Sequence, residues 1–224
     1  MMQDMHGRIM LVDKPKGITS FDVIRRLRRE LRVKKLGHAG TLDPLASGLM
    51  LIGVGDGTKD LAALIKLPKT YESEIVVGER TETGDAEGVV VEEVPVCILE
   101  EETARRVLHD MRGMLALAVP RHSAVKVGGK PLYAHTRRGV EVPIPIKRME
   151  IYAANLRAIE PHRERVHVFV SWEVGSGTYI RSLAEEFGRR LGLPATLGNL
   201  RRTRIGNFRI EDARPLAVTG SDTN

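Results

Sequence analysis

One segment limits the fold of this chain more than any other, because apolar side chains recur at every second position along its whole length. The alternating residues are Val166, Val168, Val170, Trp172 and Val174. A period of two predicts a β-strand with one buried face. After a glycine turn, the spacing of the apolar residues changes to that of an amphipathic helix over residues 180–191.

The rest of the chain mixes strands and helices without a regular order. Strands are predicted over residues 9–12 and 71–77, and helices over residues 58–65 and 100–111. A further helix is predicted to start at Ser20, with the Ser20 side chain as its N-cap. Because strands and helices do not alternate as βαβ units, the fold class is α+β rather than a doubly wound sheet.

Positive charge is concentrated in two parts of the sequence, and the net charge is +6 with a pI of about 9.6. Such a balance favours a polyanionic partner such as nucleic acid, although a basic solvated surface is the simpler alternative. The first cluster is Arg25, Arg26, Arg28, Arg29, Arg32, Lys34 and Lys35, and the second is Arg189, Arg190, Arg201, Arg202, Arg204 and Arg209.

The chain of 224 residues has one cysteine and a polar N-terminal segment, residues 1–8. Cys97 lies among apolar residues, so a buried structural thiol is predicted, in a reducing compartment. No apolar run approaches the ~20 residues that span a bilayer. These features predict a cytoplasmic protein without a membrane segment. We expect a single domain over 1–224, in which residues 95–145 are an insertion that grips a ligand.

Three kinds of site can be set aside from the residues alone. The seven histidines show no metal-ligand spacing, so no metal site is expected. The glycine-rich segment 53–59 has Gly-Thr-Lys rather than the Gly-Lys-Ser/Thr of a phosphate loop, and Asp56 inside it would repel phosphate. The sequence also lacks the Gly-x-Ser-x-Gly turn of a serine hydrolase.

The segment from Gly37 to Gly48 is the most unusual local sequence. It carries His38, Thr41 and Asp43 in a loop whose glycines and Pro44 shape the backbone. Asp-Pro is a common turn signal, so the local sequence by itself favours a turn-making Asp43 over a catalytic one.

Several motifs follow one another in order along nearly the whole chain. They are Lys14–Ser20, Gly37–Leu49 around Asp43, Lys69–Tyr71, Thr81–Gly88, Ser123–Ala134, Gly177–Leu183 and Leu200–Thr203. Together they resemble the motifs of the TruB family of pseudouridine synthases. Glu82 departs from the family pattern, since Asp is more usual there.

The resemblance implies a pseudouridine synthase fold: a mixed, mainly antiparallel sheet with flanking helices, a central RNA-binding cleft and an inserted thumb. It implies an isomerase with Asp43 as the catalytic carboxylate, Arg181 as its ion-pair partner and Tyr71 stacked on the extruded base. By the same resemblance, His38 helps the nucleotide leave its stack, and Tyr179 and Leu200 line the base pocket.

The implied substrate is uridine 55 in the T-arm of tRNA, with no cofactor, no metal and no obligatory protein partner. RNA backbone contacts are expected from the basic helix after Ser20 and from Arg201 and Arg202. Residues 119–123 depart from the family pattern, and no C-terminal PUA domain is expected. Two alternatives stay open: a guide-RNA-dependent synthase acting on ribosomal RNA, and an RNA-binding or tRNA-folding protein without the chemistry.

Overall fold

The computed structural model describes residues 9–216, which form two compact units. The first holds the described residues up to Tyr71 and from Leu200 onward, and the second is Glu72–Asn199. Strands β4 (Lys69–Val77) and β12 (Ala195–Ile205) contribute residues to both units. Among the described residues, every helix is too short or too polar to cross a membrane.

The first unit is built around a strand that is buried along almost its whole length. The strands that belong to this unit alone are β1 (Ile9–Lys14), β2 (Leu36–His38), β3 (Ser47–Val54), β13 (Phe208–Arg209) and β14 (Arg214–Pro215). The buried strand is β3, which pairs antiparallel with β1 and β2 and parallel with β12. Strand β14 pairs parallel with β1, and β13 pairs antiparallel with β12.

Helix α1 (Ser20–Leu31) lies in the first unit and buries Val23, Ile24 and Leu27. The predicted N-cap at Ser20 is wrong by one residue, because Thr19 caps the helix. The Thr19 hydroxyl accepts from the Asp22 N–H, and the Asp22 carboxylate accepts from the Thr19 N–H, which is a complete capping box. Arg25, Arg28 and Arg29 lie on the exposed side of the helix, as predicted, whereas Arg26 is half-buried.

The helix predicted over residues 58–65 is a 3₁₀ turn (Gly55–Lys59) followed by the short helix α2 (Leu61–Leu64). The Thr58 hydroxyl donates to the Gly55 carbonyl at 2.8 Å, and Gly55 and Gly57 lower the helix propensity of the segment. A tight turn therefore replaces the first half of the predicted helix. A second 3₁₀ turn lies at Ile210–Asp212.

The second unit contains seven strands of its own and three helices. The strands are β5 (Glu79–Thr81), β6 (Val90–Glu93), β7 (Gly113–Ala118), β8 (Lys126–Val127), β9 (Lys130–Pro131), β10 (Ile146–His162) and β11 (Arg165–Val174). The main sheet of this unit has the order β4, β11, β10, β7, and two hairpins, β5 with β6 and β8 with β9, are separate two-stranded sheets. The helices are α3 (Glu101–Asp110), α4 (Leu132–Thr136) and α5 (Ile180–Leu191).

The alternating strand and the helix after it are confirmed as β11 and α5, and the α+β class with a mainly antiparallel sheet is confirmed as well. The indole N–H of Trp172 donates to the Ser73 hydroxyl at 2.8 Å, which satisfies the polar atom of the largest buried side chain. The 17-residue strand β10 was not predicted. Its register shifts at Ile151/Ala153 and Leu156/Ala158, and these irregularities break the alternation that marks a strand.

The segment 95–145 is not uniform. Helix α3 buries Ala104, Val107 and Leu108, and β7 pairs with β10, so residues 101–118 belong to the body of the second unit. Residues 119–145 carry the β8–β9 hairpin and α4. The RNA-gripping role of this segment stays a prediction.

Cys97 is exposed, so the prediction of a buried thiol is wrong. The segment is extended here, and the Val96 N–H donates to the Glu164 carbonyl at 2.8 Å while the Val96 side chain is buried. Because successive side chains of an extended chain point in opposite directions, the side chain after Val96 is turned to solvent.

Candidate active site

Asp43 lies in a tight turn of the loop that joins β2 to β3. Its carbonyl accepts from the Ala46 N–H at 3.1 Å, with Pro44 at the second position of the turn. Asp43 is partly exposed, whereas Leu42 before it is only 4% exposed. The turn predicted from Asp-Pro is therefore present, and it carries the partly exposed Asp43.

Arg202 holds this loop from inside the first unit. Its guanidinium donates to the carbonyls of Leu49 at 2.7 Å, Gly40 at 3.1 Å and Thr41 at 3.5 Å. The residue is 1% exposed. The expectation that Arg202 contacts the RNA backbone is therefore wrong, because its guanidinium is buried and donates to backbone carbonyls of the protein. Arg201 is half-buried and pairs with Asp13 at 2.7 Å.

Lys14 and Gly17 support the other side of the same loop. The Gly17 N–H donates to the Pro44 carbonyl at 2.9 Å, and the Lys14 ammonium donates to the Ile18 carbonyl at 2.7 Å and to Pro44 at 3.4 Å. Lys14 is fully buried. The Lys-Pro-Lys-Gly motif thus serves as a backbone support for the turn that carries Asp43.

Lys69 and Tyr71 point to the same buried side of β4, because they are two residues apart. The Lys69 ammonium donates to the carbonyls of Leu67, at 2.6 Å, and Ile65. Burial, and next the positive charge of Arg202, lower the pKa of Lys69 to about 8. Tyr71 is 8% exposed, so little of its surface is available to a ligand in this conformation.

His38 ends β2 and Leu200 lies in β12, both in the first unit. Burial lowers the pKa of His38 below its usual value of 6.5, and the charge of Arg202 lowers it further, against a backbone hydrogen bond to Gly40. At neutral pH the ring is therefore uncharged, and it would meet a nucleotide as a flat ring rather than as a cation. Leu200 is buried.

Arg181 lies in the first turn of α5, as predicted, and is 5% exposed. Its guanidinium pairs with Asp85 at 3.3 Å and donates to the carbonyls of Thr83 at 3.2 Å and His122 at 3.0 Å. Asp85 in turn accepts from the Thr83 hydroxyl at 2.6 Å. This ion pair joins the Thr-Asp-rich loop to α5 within the second unit, and Asp85 was missed as a site residue by sequence reasoning.

Tyr179 immediately precedes α5 and is partly exposed. The ammonium of Lys147 lies 5.7 Å from the centre of its ring, and the Tyr179 N–H donates to the Met149 sulfur at 3.5 Å. An aromatic ring next to a lysine offers both a stacking surface and a positive charge to a nucleotide.

The first unit therefore contains His38, Asp43, Tyr71 and Leu200, and the second contains Tyr179 and Arg181. The expected pairing of Arg181 with Asp43 joins residues of different units and stays a prediction. Residues 9–216 contain no group of three or more His, Cys, Asp or Glu side chains arranged to hold a metal ion.

Comparison with known proteins gives a consistent set of relatives. The profile of the family described as TruB family pseudouridylate synthase (N terminal domain) matches residues 28–180. Proteins named tRNA pseudouridine synthase B are similar over most of the chain: that of Corynebacterium aurimucosum is 40% identical, covering 93% of this chain and 70% of its own, and that of a Mycobacterium species is 41% identical, covering 94% and 71%.

The solved structure of a Cbf5-Nop10-Gar1 complex contains a chain with the same fold. It is 27% identical with a TM-score of 0.70, and the match covers 93% of this chain and 52% of that one. The present chain therefore spans about half the length of that protein.

Proposed function

The chain belongs to the TruB family of pseudouridylate synthases, and we propose that it isomerises a uridine of tRNA to pseudouridine with the carboxylate of Asp43. The observation that carries the assignment of Asp43 is the way the backbone around it is held. A partly exposed carboxylate sits on a turn whose backbone is held by the buried side chains of Arg202 and Lys14. Such support fixes a reacting group before the substrate arrives.

The reaction moves one bond and needs no outside reactant. The bond from C1′ of the ribose to N1 of uracil breaks, the base turns, and C1′ forms a bond to C5. N1 gains a proton and C5 loses one, so no electrons are exchanged with a redox cofactor. Asp43 acts in ionised form, either by attacking the sugar or base or by promoting elimination to a glycal.

The remaining site residues have supporting roles in this proposal. Arg181 would pair with Asp43 and keep it ionised at neutral pH. Tyr71 would stack on the uracil, and Tyr179 and Leu200 would line its pocket. His38, uncharged at neutral pH, would help the target nucleotide leave its stack. Removing the base from its stack costs a few kcal/mol, which backbone contacts must offset.

The proposed substrate is uridine 55 in the T-arm of tRNA. The relatives at about 40% identity are named as tRNA pseudouridine synthases, and the position of the uridine follows from the family resemblance. The exposed arginines of α1 would supply phosphate contacts. Modification of tRNA would place the activity in the cytoplasm.

The first experiment tests the chemistry. Purified protein is incubated with an unmodified tRNA transcript carrying tritium at C5 of uridine, and tritium release is followed, because C5 loses its hydrogen when it bonds to C1′. Wild-type protein is expected to release one tritium per tRNA, and Asp43→Asn none. Full turnover by Asp43→Asn would remove Asp43 as the catalytic group.

The second experiment tests the substrate. Pseudouridine is mapped at nucleotide resolution in wild-type tRNA transcript and in a transcript with cytidine at position 55. A product at position 55 that disappears with the cytidine substitution supports the T-arm assignment. Product only on ribosomal RNA with an added guide RNA would favour the guide-dependent alternative, and RNA binding without product would favour a tRNA-folding protein.

A further inference from the structure

The hydroxyl of Ser20 makes two hydrogen bonds to one residue of the Asp43 loop. It accepts from the Leu42 N–H at 2.8 Å and donates to the Leu42 carbonyl at 2.9 Å. Ser20 is 3% exposed and Leu42 is 4% exposed. One buried side chain therefore satisfies both backbone groups of the residue directly before Asp43, and water has little access to replace it.

Ser20 is available for this contact because the preceding residue caps the helix. Thr19 and Asp22 form the capping box of α1, so the Ser20 hydroxyl is not needed at the helix end. The helix is anchored through the buried side chains of Val23, Ile24 and Leu27. The two hydrogen bonds thus connect the Asp43 loop to a rigid element rather than to another loop.

The residue after Asp43 is held separately. The Pro44 carbonyl accepts from the Gly17 N–H at 2.9 Å. The backbone is therefore fixed on both sides of Asp43, and the residue directly before it, Leu42, is held by a single hydroxyl.

We infer that Ser20 is a positioning residue for Asp43, which fixes the direction of the carboxylate through Leu42. This inference rests on the proposed function, in which Asp43 reacts with the bound uridine. Without the hydroxyl, the buried N–H and carbonyl of Leu42 lose their hydrogen-bond partner, and the loop shifts until these groups meet other partners. A shift of about 1 Å at a reacting group lowers the rate by on the order of 100-fold.

The test is Ser20→Ala, measured by tritium release in single turnover and by the Kd for the tRNA transcript. We expect the rate constant at saturating protein to fall about 10-fold to 100-fold, with the Kd within about twofold of wild type. A merely structural role would lower the amount of active protein without changing the rate constant of the remainder. A rate constant within twofold of wild type in folded Ser20→Ala would overturn the inference.

Thr19→Ala is the matched control. It removes the cap of the same helix and leaves the Ser20 hydroxyl in place. Its rate constant should stay within twofold of wild type, because Leu42 is still held. Equal rate losses in Thr19→Ala and Ser20→Ala would assign the effect to helix stability and reject the positioning role.

Asp43→Ala distinguishes a failure of the positioning role of Ser20 from a failure of the catalytic role of Asp43. An inactive Asp43→Ala together with a fully active Ser20→Ala would reject the inference alone, whereas an active Asp43→Ala would reject the catalytic assignment itself. If Ser20→Ala does not fold, Ser20→Cys serves instead, because it keeps the side-chain shape while the thiol is a weak hydrogen-bonding group. The single-turnover rate constant of Ser20→Cys should also fall below that of wild type, and an unchanged rate constant would again contradict the inference.

Discussion

Lys69 is a buried ammonium group whose pKa is lowered to about 8, mainly by burial and further by Arg202. In the unfolded chain the pKa is about 10.4. Between these values the unfolded state binds more protons than the folded state, so stability rises with pH. Relative to Lys69→Met, the free energy of unfolding of wild type should increase by about 2 kcal/mol from pH 7.5 to pH 9.5.

Chemical denaturation of both proteins at the two pH values measures this difference. Lys69→Met is a suitable reference because it keeps the length of the side chain and removes the titrating group, while all other titrations are shared. Parallel pH profiles would show that Lys69 titrates normally in the folded protein.

The hydrogen bonds of Arg202 lead to a second prediction at the scale of one residue. Replacing it with Met leaves the carbonyls of Leu49, Gly40 and Thr41 without their common donor. Because the bond to Leu49 is buried and the bonds to Gly40 and Thr41 are part-buried, Arg202→Met should lower the free energy of unfolding by about 3 kcal/mol or more. Arg204, two residues further along β12, is exposed, and Arg204→Met should change it by less than about 0.5 kcal/mol. Similar losses in both variants would contradict the role of Arg202.

At the scale of elements, the parallel pairing of β3 with β12 depends on a glycine. Gly48 has a φ of +108°, and a Cβ there would lie 2.3 Å from the backbone oxygen of Arg202. Gly113 has a similar φ of +94°, but a Cβ there would meet nothing within 4 Å. Both Ala variants should pay about 1–2 kcal/mol of backbone strain.

Only Gly48→Ala adds a steric conflict with a neighbouring strand, so its total loss should reach at least about 3 kcal/mol. Thermal denaturation of the two variants measures the difference. Equal losses would mean that β12 moves away from the added methyl group without penalty.

The elements that the sequence predicts well are those with a local pattern. The alternation of β11 and the helical spacing of α5 are visible within ten to twelve residues, and both are confirmed. Strand β10 was missed because its bulges interrupt the alternation, and the N-cap of α1 was misplaced because Thr19 and Ser20 are both good capping residues. Choosing between them requires the loop at Leu42, which is 22 residues away.

The same limit applies to the candidate site. Motif resemblance placed Asp43, Tyr71 and Arg181, but sequence alone does not separate a buried arginine from an exposed one. Arg202 and Arg204 lie in one basic stretch, and only the fold shows that the first holds a loop and the second faces solvent. The pairing of Arg181 with Asp85 likewise joins residues 96 positions apart. A buried guanidinium requires such an acceptor, but nothing local identifies it.

For the whole molecule, the net charge of +6 and the exposed arginines of α1 should make the proposed binding of tRNA dependent on salt. Arg29→Gln removes one exposed charge from α1. If Arg29 contacts a phosphate, the slope of log K against log salt concentration should become shallower by about 0.7–0.9. The single-turnover rate at saturating protein should not change, because Arg29 lies outside the reacting groups.

Arg105→Gln is the control for this measurement, since Arg105 on α3 is exposed but already paired with Glu101 in the helix. Its slope should equal that of wild type. Filter binding of tRNA between about 50 and 200 mM salt gives the slope for wild type, for Arg29→Gln and for Arg105→Gln. An unchanged slope for Arg29→Gln would mean that α1 does not follow the RNA backbone at that position. A loss of rate at saturation would instead place Arg29 close to the reacting uridine.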